Sequence, residues 1–183
     1  MSNFEKVAEF HDSFGLPNNS ELQKNVFTED KKLTKLRWDL IKEEVDELRE
    51  AMDNHDMTET IDALTDILYV VYGAGVSFGI DLNRAFEIVH SSNMSKLCVD
   101  ENEAQDTVLW YKDQFKQGNV PYDSPAYRKS DDGKYWVVYN DSTSKILKSI
   151  NYKPVTDDLM NLCNNQKKKY TKDSVFEDNR SWF

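Results

Sequence analysis

The chain has 183 residues, 39% of them hydrophobic, and a formal charge of -10 from 33 acidic and 23 basic residues. This length suits one domain with a real hydrophobic core, or one core with an appendage, and the acidic balance disfavours general nucleic-acid binding because the phosphate backbone is itself negative. Two cysteines, Cys98 and Cys163, offer no paired metal-ligand spacing and argue against a disulfide framework.

Residues 4–14 read as a short amphipathic helix, with Phe4, Val7, Ala8, Phe10 and His11 on a partly apolar face. Gly15 and Pro17 end it. The N-terminal run has no sustained apolar stretch and does not read as a signal peptide. Residues 18–30 are a polar loop anchored by Val26 and Phe27. Residues 31–52, rich in strong helix formers, predict a helix with Leu33, Leu36, Leu40, Ile41, Leu48 and Met52 on its buried side.

Asp56, three residues before Glu59, opens a second helix in a capping arrangement. Ile61, Leu64, Leu68, Val71 and Tyr72 form its expected core face, and Ala63, Ile67 and Val70 add apolar surface beside it. A helix apolar on most sides is central in a bundle or faces another subunit. Its stretch 67–78 is too short and glycine-punctuated to span a bilayer, so a soluble, cytoplasmic protein without a membrane partner is expected. Gly79 ends the helix.

Asp81 caps a third helix, residues 82–97, where Asn93 continues the apolar stripe of Leu82, Ala85, Phe86 and Val89. Residues 102–117 predict a fourth helix. Residues 118–132, with Pro121 and Pro125, predict a loop. Residues 134–140 read as a strand that pairs with residues 145–150 across a turn. A short basic helix over residues 159–170 and a polar tail broken by Phe176, Trp182 and Phe183 close the chain. The expected fold class is all-α, with a helical core over residues 1–100. Residues 101–183 supply a mixed insertion, a short hairpin arm and the tail.

Acidic residues interrupt the two long helices in a pattern. Glu43 and Glu47 are four apart, Glu44 and Glu47 three apart, and Asp62 and Asp66 repeat the four-residue spacing. Such pairs share adjacent helix surfaces. Two antiparallel helices would bring them face to face, and an all-oxygen donor set favours Mg²⁺ or Mn²⁺ over zinc. The competing reading is a solvated face neutralised by Lys31, Lys32, Lys35, Arg37, Lys42 and Arg49. Glu59 suits a helix start. Asn93 and Lys96 fit base and phosphate recognition, or a polar helix end. Lys145, Lys148, Tyr152 and Lys153 form a basic-aromatic patch that a mobile arm could bring to a triphosphate, or a plain surface hairpin. His11 and His90 lack zinc-spaced partners, Lys167, Lys168 and Lys169 offset acidic surface, and no glycine-rich phosphate loop is present.

Leu40-Ile41-Lys42-Glu43-Glu44-Val45-Asp46-Glu47-Leu48 resembles the first motif of the MazG-like, all-alpha nucleotide pyrophosphohydrolases. Asp62-Ala63-Leu64-Thr65-Asp66-Ile67-Leu68-Tyr69 resembles their second acidic motif. Ser92-Asn93-Met94-Ser95-Lys96, and Lys145-Ile146-Leu147-Lys148 followed by Tyr152-Lys153-Pro154, resemble signatures of the phosphoribosyl-ATP pyrophosphohydrolase-like branch. The resemblance implies a MazG-like helical bundle assembled as a homodimer or dimer of dimers. It also implies Mg²⁺-dependent cleavage of a nucleoside or deoxynucleoside triphosphate between the alpha and beta phosphates, giving monophosphate and pyrophosphate. Glu43, Glu44, Glu47 and Asp66 carry over as the acidic set, with Asp62 supplying the carboxylate that many members place at the position of Ala63. Glu44 and Glu47 are the expected catalytic groups, and Asn93, Lys96, Lys145, Lys148 and Tyr152 the substrate-binding ones. The family core does not account for residues 102–144. A catalytically silent scaffold that binds nucleotide or protein is the alternative, and a simple helical interaction module with solvated charge is a third.

Overall fold

A computed structural model describes residues 1–165 of the chain. The expectations for Lys167, Lys168, Lys169, Phe176, Trp182 and Phe183, and for the distal part of the basic helix, lie outside the described residues. The fold is an all-α bundle with a small three-stranded insertion before a final helix: α1 (Asn3–Ser13), α2 (Val26–Glu29), α3 (Lys31–Asp53), α4 (Met57–Phe78), α5 (Leu82–Met94), α6 (Glu101–Lys116), β1 (Pro125–Lys129), β2 (Trp136–Asn140), β3 (Lys145–Ile146) and α7 (Thr156–Asn165). The chain divides into two compact units, Met1–Ala85 with described residues 161–165, and Phe86–Met160.

Local chemistry sets the helix ends of the first unit. The Ser2 hydroxyl accepts from the Glu5 amide while Glu5 reaches back to the Ser2 amide, closing a capping box on α1. Asp30 caps α3 through the Leu33 amide, at 2.9 Å. Asp56 caps α4 through the amides of Thr58 and Glu59, as expected from the spacing. Only three residues separate α3 from α4, and the two helices pack along each other, so they form an antiparallel hairpin. Phe4 and Val7 of α1 pack on Val76 of α4, with Tyr72 and Leu82 around them.

The loop after α1 is stitched to the far end of α4. The amide of Asn19 donates to the Val76 carbonyl at 3.1 Å and that of Gln23 to the Phe78 carbonyl at 2.9 Å. Gly79 makes the close approach possible. It ends α4 at φ +70°, and a Cβ there would lie 2.0 Å from the backbone oxygen of Glu21.

The buried side of the hairpin matches the expected one in part: Leu33, Leu40, Ile41 and Leu48 of α3 and Tyr72 of α4 are half-buried. Arg37 and Ala51 are the buried residues of α3, whereas Leu36 is 48% and Met52 60% exposed. On α4 the buried run is Ala63 and then Gly73 to Ser77, while Ile61, Leu64, Leu68 and Val71 are exposed. Among the described residues, much of the expected apolar faces is left uncovered. By length and composition α4 could cross a membrane. Its amino-terminal half nevertheless carries Glu59, Asp62 and Asp66, which are costly in hydrocarbon.

The second unit is built on α6 and an antiparallel meander ordered β1-β2-β3. Tyr127 pairs with Val138 and Tyr139 with Ile146. Cys98, Ala104, Val108, Tyr111, Val138 and Leu147 form its core. The β2–β3 pairing matches the sequence expectation. β1 corrects it, since a loop was expected over residues 118–132. Pro125 is tolerated because it is the first residue of an edge strand, where its missing N–H costs no central ladder bond. Fully buried Asn140 ties the turns together: its carbonyl accepts from the Ser124 amide and its amide donates to Asp123, Ser142 and Thr143. Donors from Ser142, Asn140 and Ser124 hold the Asp123 carboxyl down at about 2.

Gly79→Ala should destabilise the protein by about 2 kcal/mol or more, because it adds a backbone clash to left-handed strain. Gly118→Ala, also at positive φ but with open space around its Cβ position, should cost about 1 kcal/mol. Urea unfolding of both variants checks the difference; equal losses would show that the Glu21 contact is immaterial.

Candidate active site

The acidic residues lie on the two arms of the hairpin, with Glu43, Glu44 and Glu47 on α3 and Asp62 and Asp66 on α4. Helical period decides their surroundings. The inward stripe of α3 runs through Arg37, Leu40, Ile41, Glu44, Leu48 and Ala51, all buried or half-buried. Glu44 is therefore half-buried in the seam. Asp66 is half-buried on α4, one turn beyond buried Ala63. Glu43, Glu47 and Asp62 flank the seam and are exposed. Ala63 is 4% exposed, so an acid there would sit deep in the helix contact, whereas Asp62 meets solvent.

Electrostatics confirm that the two helices share one field. The Glu44 carboxyl is raised above its ordinary value, first by burial and then by the negative charges of Glu47, Asp66, Glu43 and Asp62. The lysines and arginines invoked for a solvated face do not relieve this. Lys35 pairs with Asp39, Lys42 with Asp46, and Arg49 with Asp53 at 4.0 Å. Among the described residues, no ion pair reaches Glu43, Glu44, Glu47, Asp62 or Asp66.

The all-oxygen donor set fits a hard divalent cation in its chemistry. As the side chains stand, no three acidic, histidine or cysteine residues among those described are gathered closely enough to hold a metal ion. The carboxylates are neighbours in the field without forming a coordination sphere.

Sequence reasoning passed over Arg37 as one of several surface cations. It is 6% exposed, and its buried Nε has no hydrogen-bond partner. Gly73 makes room for it: a Cβ there would meet the Arg37 guanidinium and the His11 ring, each at 3.2 Å. The signal was present in the spacing, since Arg37, Glu44 and Ala51 recur every seven residues on the inward stripe.

The remaining candidates belong to the second unit. Beyond the end of α5, the Lys96 ammonium donates to the Asn93 amide oxygen at 2.7 Å, which is the polar helix-end pair. The Lys148 ammonium lies 4.3 Å from the centre of the Tyr152 ring, and that of Lys145 lies 5.2 Å from the centre of the Tyr122 ring. Lys96, Lys145 and Lys148 take part in no ion pair among the described residues. His11 is buried and its Nδ1 lies 2.8 Å from the Pro17 carbonyl, a structural position.

A helical hairpin with uncompensated carboxylates along its seam places the protein among all-α proteins whose candidate site is an acidic cluster. The particular family follows from comparison. The family profile described as phosphoribosyl-ATP pyrophosphohydrolase matches residues 7–93, a span that begins in α1 and ends in α5 and takes in the whole hairpin. The chain is also 31% identical, over 246 aligned positions with insertions included, to Uncharacterized protein L479 of Acanthamoeba polyphaga mimivirus, covering 87% of this chain and 96% of that relative. The chain belongs to this MazG-like pyrophosphohydrolase family, and its family-level function is of the nucleotide pyrophosphohydrolase type.

The raised Glu44 carboxyl gives a signed expectation for metal-free protein. Its ionised form is disfavoured by the fold, so the penalty is complete above the raised value and disappears as pH falls through it toward the ordinary 4.5. In the presence of a chelator, Glu44→Gln should therefore melt above wild type at neutral pH. The gap should close as the pH approaches that of a free glutamate. A variant that melts with wild type across the whole range would contradict the crowding of charge at the seam.

Proposed function

We propose that the protein is a Mg²⁺-dependent nucleotide pyrophosphohydrolase that cleaves a nucleoside or deoxynucleoside triphosphate between the alpha and beta phosphates, releasing monophosphate and pyrophosphate. The observation that carries this reading is the unpaired carboxylate set on α3 and α4, while neighbouring Asp39, Asp46 and Asp53 are paired with bases. Like charges gathered this way gain nothing from each other; a cation substrate complex is what would use them.

Glu43, Glu47, Asp62 and Asp66, with Glu44, are the residues that would hold Mg²⁺, or Mn²⁺ in its place. The bound ion would supply charge neutralisation at the phosphates and polarisation of the phosphoryl oxygens. Glu44 is assigned a second role. Half-buried and with its carboxyl raised, it suits orienting a water and taking its proton as the phosphoanhydride opens and pyrophosphate leaves. Asn93 and Tyr152 are assigned to the nucleoside, and Lys96, Lys145 and Lys148 to the phosphates. A cytoplasmic location, without membrane or stable nucleic-acid partners, belongs to the same reading.

We also assign the exposed apolar side of the hairpin to a second copy of the chain. Leu64 is 49%, Leu68 55% and Ile61 60% exposed on α4, and Val45 is 48% exposed on α3. Contiguous apolar surface of this kind marks an interaction site. Sedimentation should show a dimer or a pair of dimers, and Leu64→Glu with Leu68→Glu should shift it toward monomer; a wild-type monomer at micromolar concentration would overturn the assignment.

A nucleotide panel with Mg²⁺, covering canonical and damaged dNTPs, NTPs and phosphoribosyl-ATP, tests the reaction. Monophosphate plus pyrophosphate from at least one compound is expected. Glu47→Ala and Asp66→Ala should each lower turnover by about a hundredfold or more. Folded protein that turns over nothing with either Mg²⁺ or Mn²⁺ would favour the silent nucleotide- or protein-binding scaffold instead.

A further inference from the structure

Residues 102–144 are not required by the family core, yet their first helix touches one short segment repeatedly. Glu103, Thr107 and Tyr111 recur every four residues along α6 and so form one stripe. Each meets a successive residue of the arm that follows β3. The Tyr111 hydroxyl accepts from the Lys148 amide at 3.2 Å. The Ser149 hydroxyl donates to the Glu103 carboxylate. Thr107 Oγ1 accepts from the Ile150 amide at 3.2 Å.

The arm's other edge is held by the end of α5. The Ser149 amide donates to the Lys96 carbonyl at 3.2 Å, the Lys153 amide to Ser95 Oγ at 3.0 Å, and the Ser92 hydroxyl to the Lys153 carbonyl at 2.8 Å. These contacts lie within the second unit.

The arrangement fixes direction as well as place. Along the arm, Leu147 and Ser149 are buried while Lys148 is exposed. In extended chain alternate residues point to opposite faces, so a slip of one residue would turn Lys148 inward. Thr107 is 0% and Ser149 4% exposed, and buried polar groups such as these are costly to leave unpaired. The arm's register is thus set by these hydrogen bonds without any ligand.

We infer that α6 of the insertion is a splint for the lysine-bearing arm, with Glu103, Thr107 and Tyr111 as positioning residues that hold Lys148 outward for a phosphate group. The inference rests on the phosphate role assigned to Lys148 above. Ordering the arm before binding removes part of the entropic cost of capturing a polyphosphate. The residues act through Lys148 and touch no phosphate themselves.

Calorimetric titration of the full chain with inorganic tripolyphosphate, without added metal so that the acidic hairpin does not contribute, tests this. Lys148→Ala should weaken binding. Thr107→Val and Glu103→Ala should weaken it by about tenfold, while the conservative Thr107→Ser and Glu103→Gln stay within about twofold of wild type. Amide hydrogen exchange at Ile150 and Asn151 should quicken only in the weakened variants. Tyr111→Phe, which removes a single oxygen, takes the place of Thr107→Val where the buried change prevents folding. Unchanged affinity in the α6 variants beside a weakened Lys148→Ala overturns the splint and leaves the phosphate reading standing. Unchanged affinity in Lys148→Ala, or no binding by wild type, overturns both.

Discussion

Repulsion between carboxylates across the α3/α4 seam is the constraint around which the first unit is arranged. Helix packing there is ordinary in its means: short side chains, glycines and a tight connection bring two long helices together. The contact stripe nevertheless admits Glu44 and Asp66, two half-buried acids, where apolar side chains would have packed without electrostatic cost. Local agreement between sequence and fold is otherwise good, with caps at both helix starts and a left-handed glycine at the end of α4. That conflict, confined to one stripe of an otherwise consistent hairpin, is what supports the proposed site, since functional groups are where proteins depart from their own packing rules.

Most of the helical framework could be read from the chain, because its signals are local. Asp56 and Gly79 mark the ends of α4 by their own hydrogen bonds and backbone angles, and hydrophobic spacing marks the body of α3. What spacing could not decide was which side chains of the apolar faces are buried. Leu36 and Arg37 are adjacent, and only the neighbouring Gly73 shows that the guanidinium lies inward and the leucine outward. β1 was illegible for a related reason. Its sequence is proline-led and partly charged, and it becomes a strand only because β2 offers it a ladder.

The acidic set was legible as residue types at helical spacing, and its separation from paired acids was not. Lys42 is next to Glu43 in the chain, but its partner is Asp46, a turn away. The α6 stripe was also invisible in sequence. The groups that Glu103, Thr107 and Tyr111 hold lie 46, 43 and 37 residues further along. Long-range hydrogen bonds from backbone amides and a serine hydroxyl leave no pattern in composition. The two units therefore teach different lessons: in the first the chemistry announces itself and the packing is hidden, while in the second the packing organises chemistry that looks unremarkable along the chain.

The three ion pairs on the outer side of α3 follow one another along the helix, each base joined to the acid four residues on. Individually, exposed pairs of this kind contribute little to stability. Collectively they divide the helix by charge. On its outer side Asp39, Asp46 and Asp53 each have a base, whereas Glu43, Glu44 and Glu47 at the seam and its margins have none. A cation approaching the outer strip meets sites already satisfied, whereas one approaching the seam relieves repulsion that the fold has built in. The ladder thus acts as electrical insulation for Asp39, Asp46 and Asp53, setting them apart from the seam carboxylates that stand unpaired.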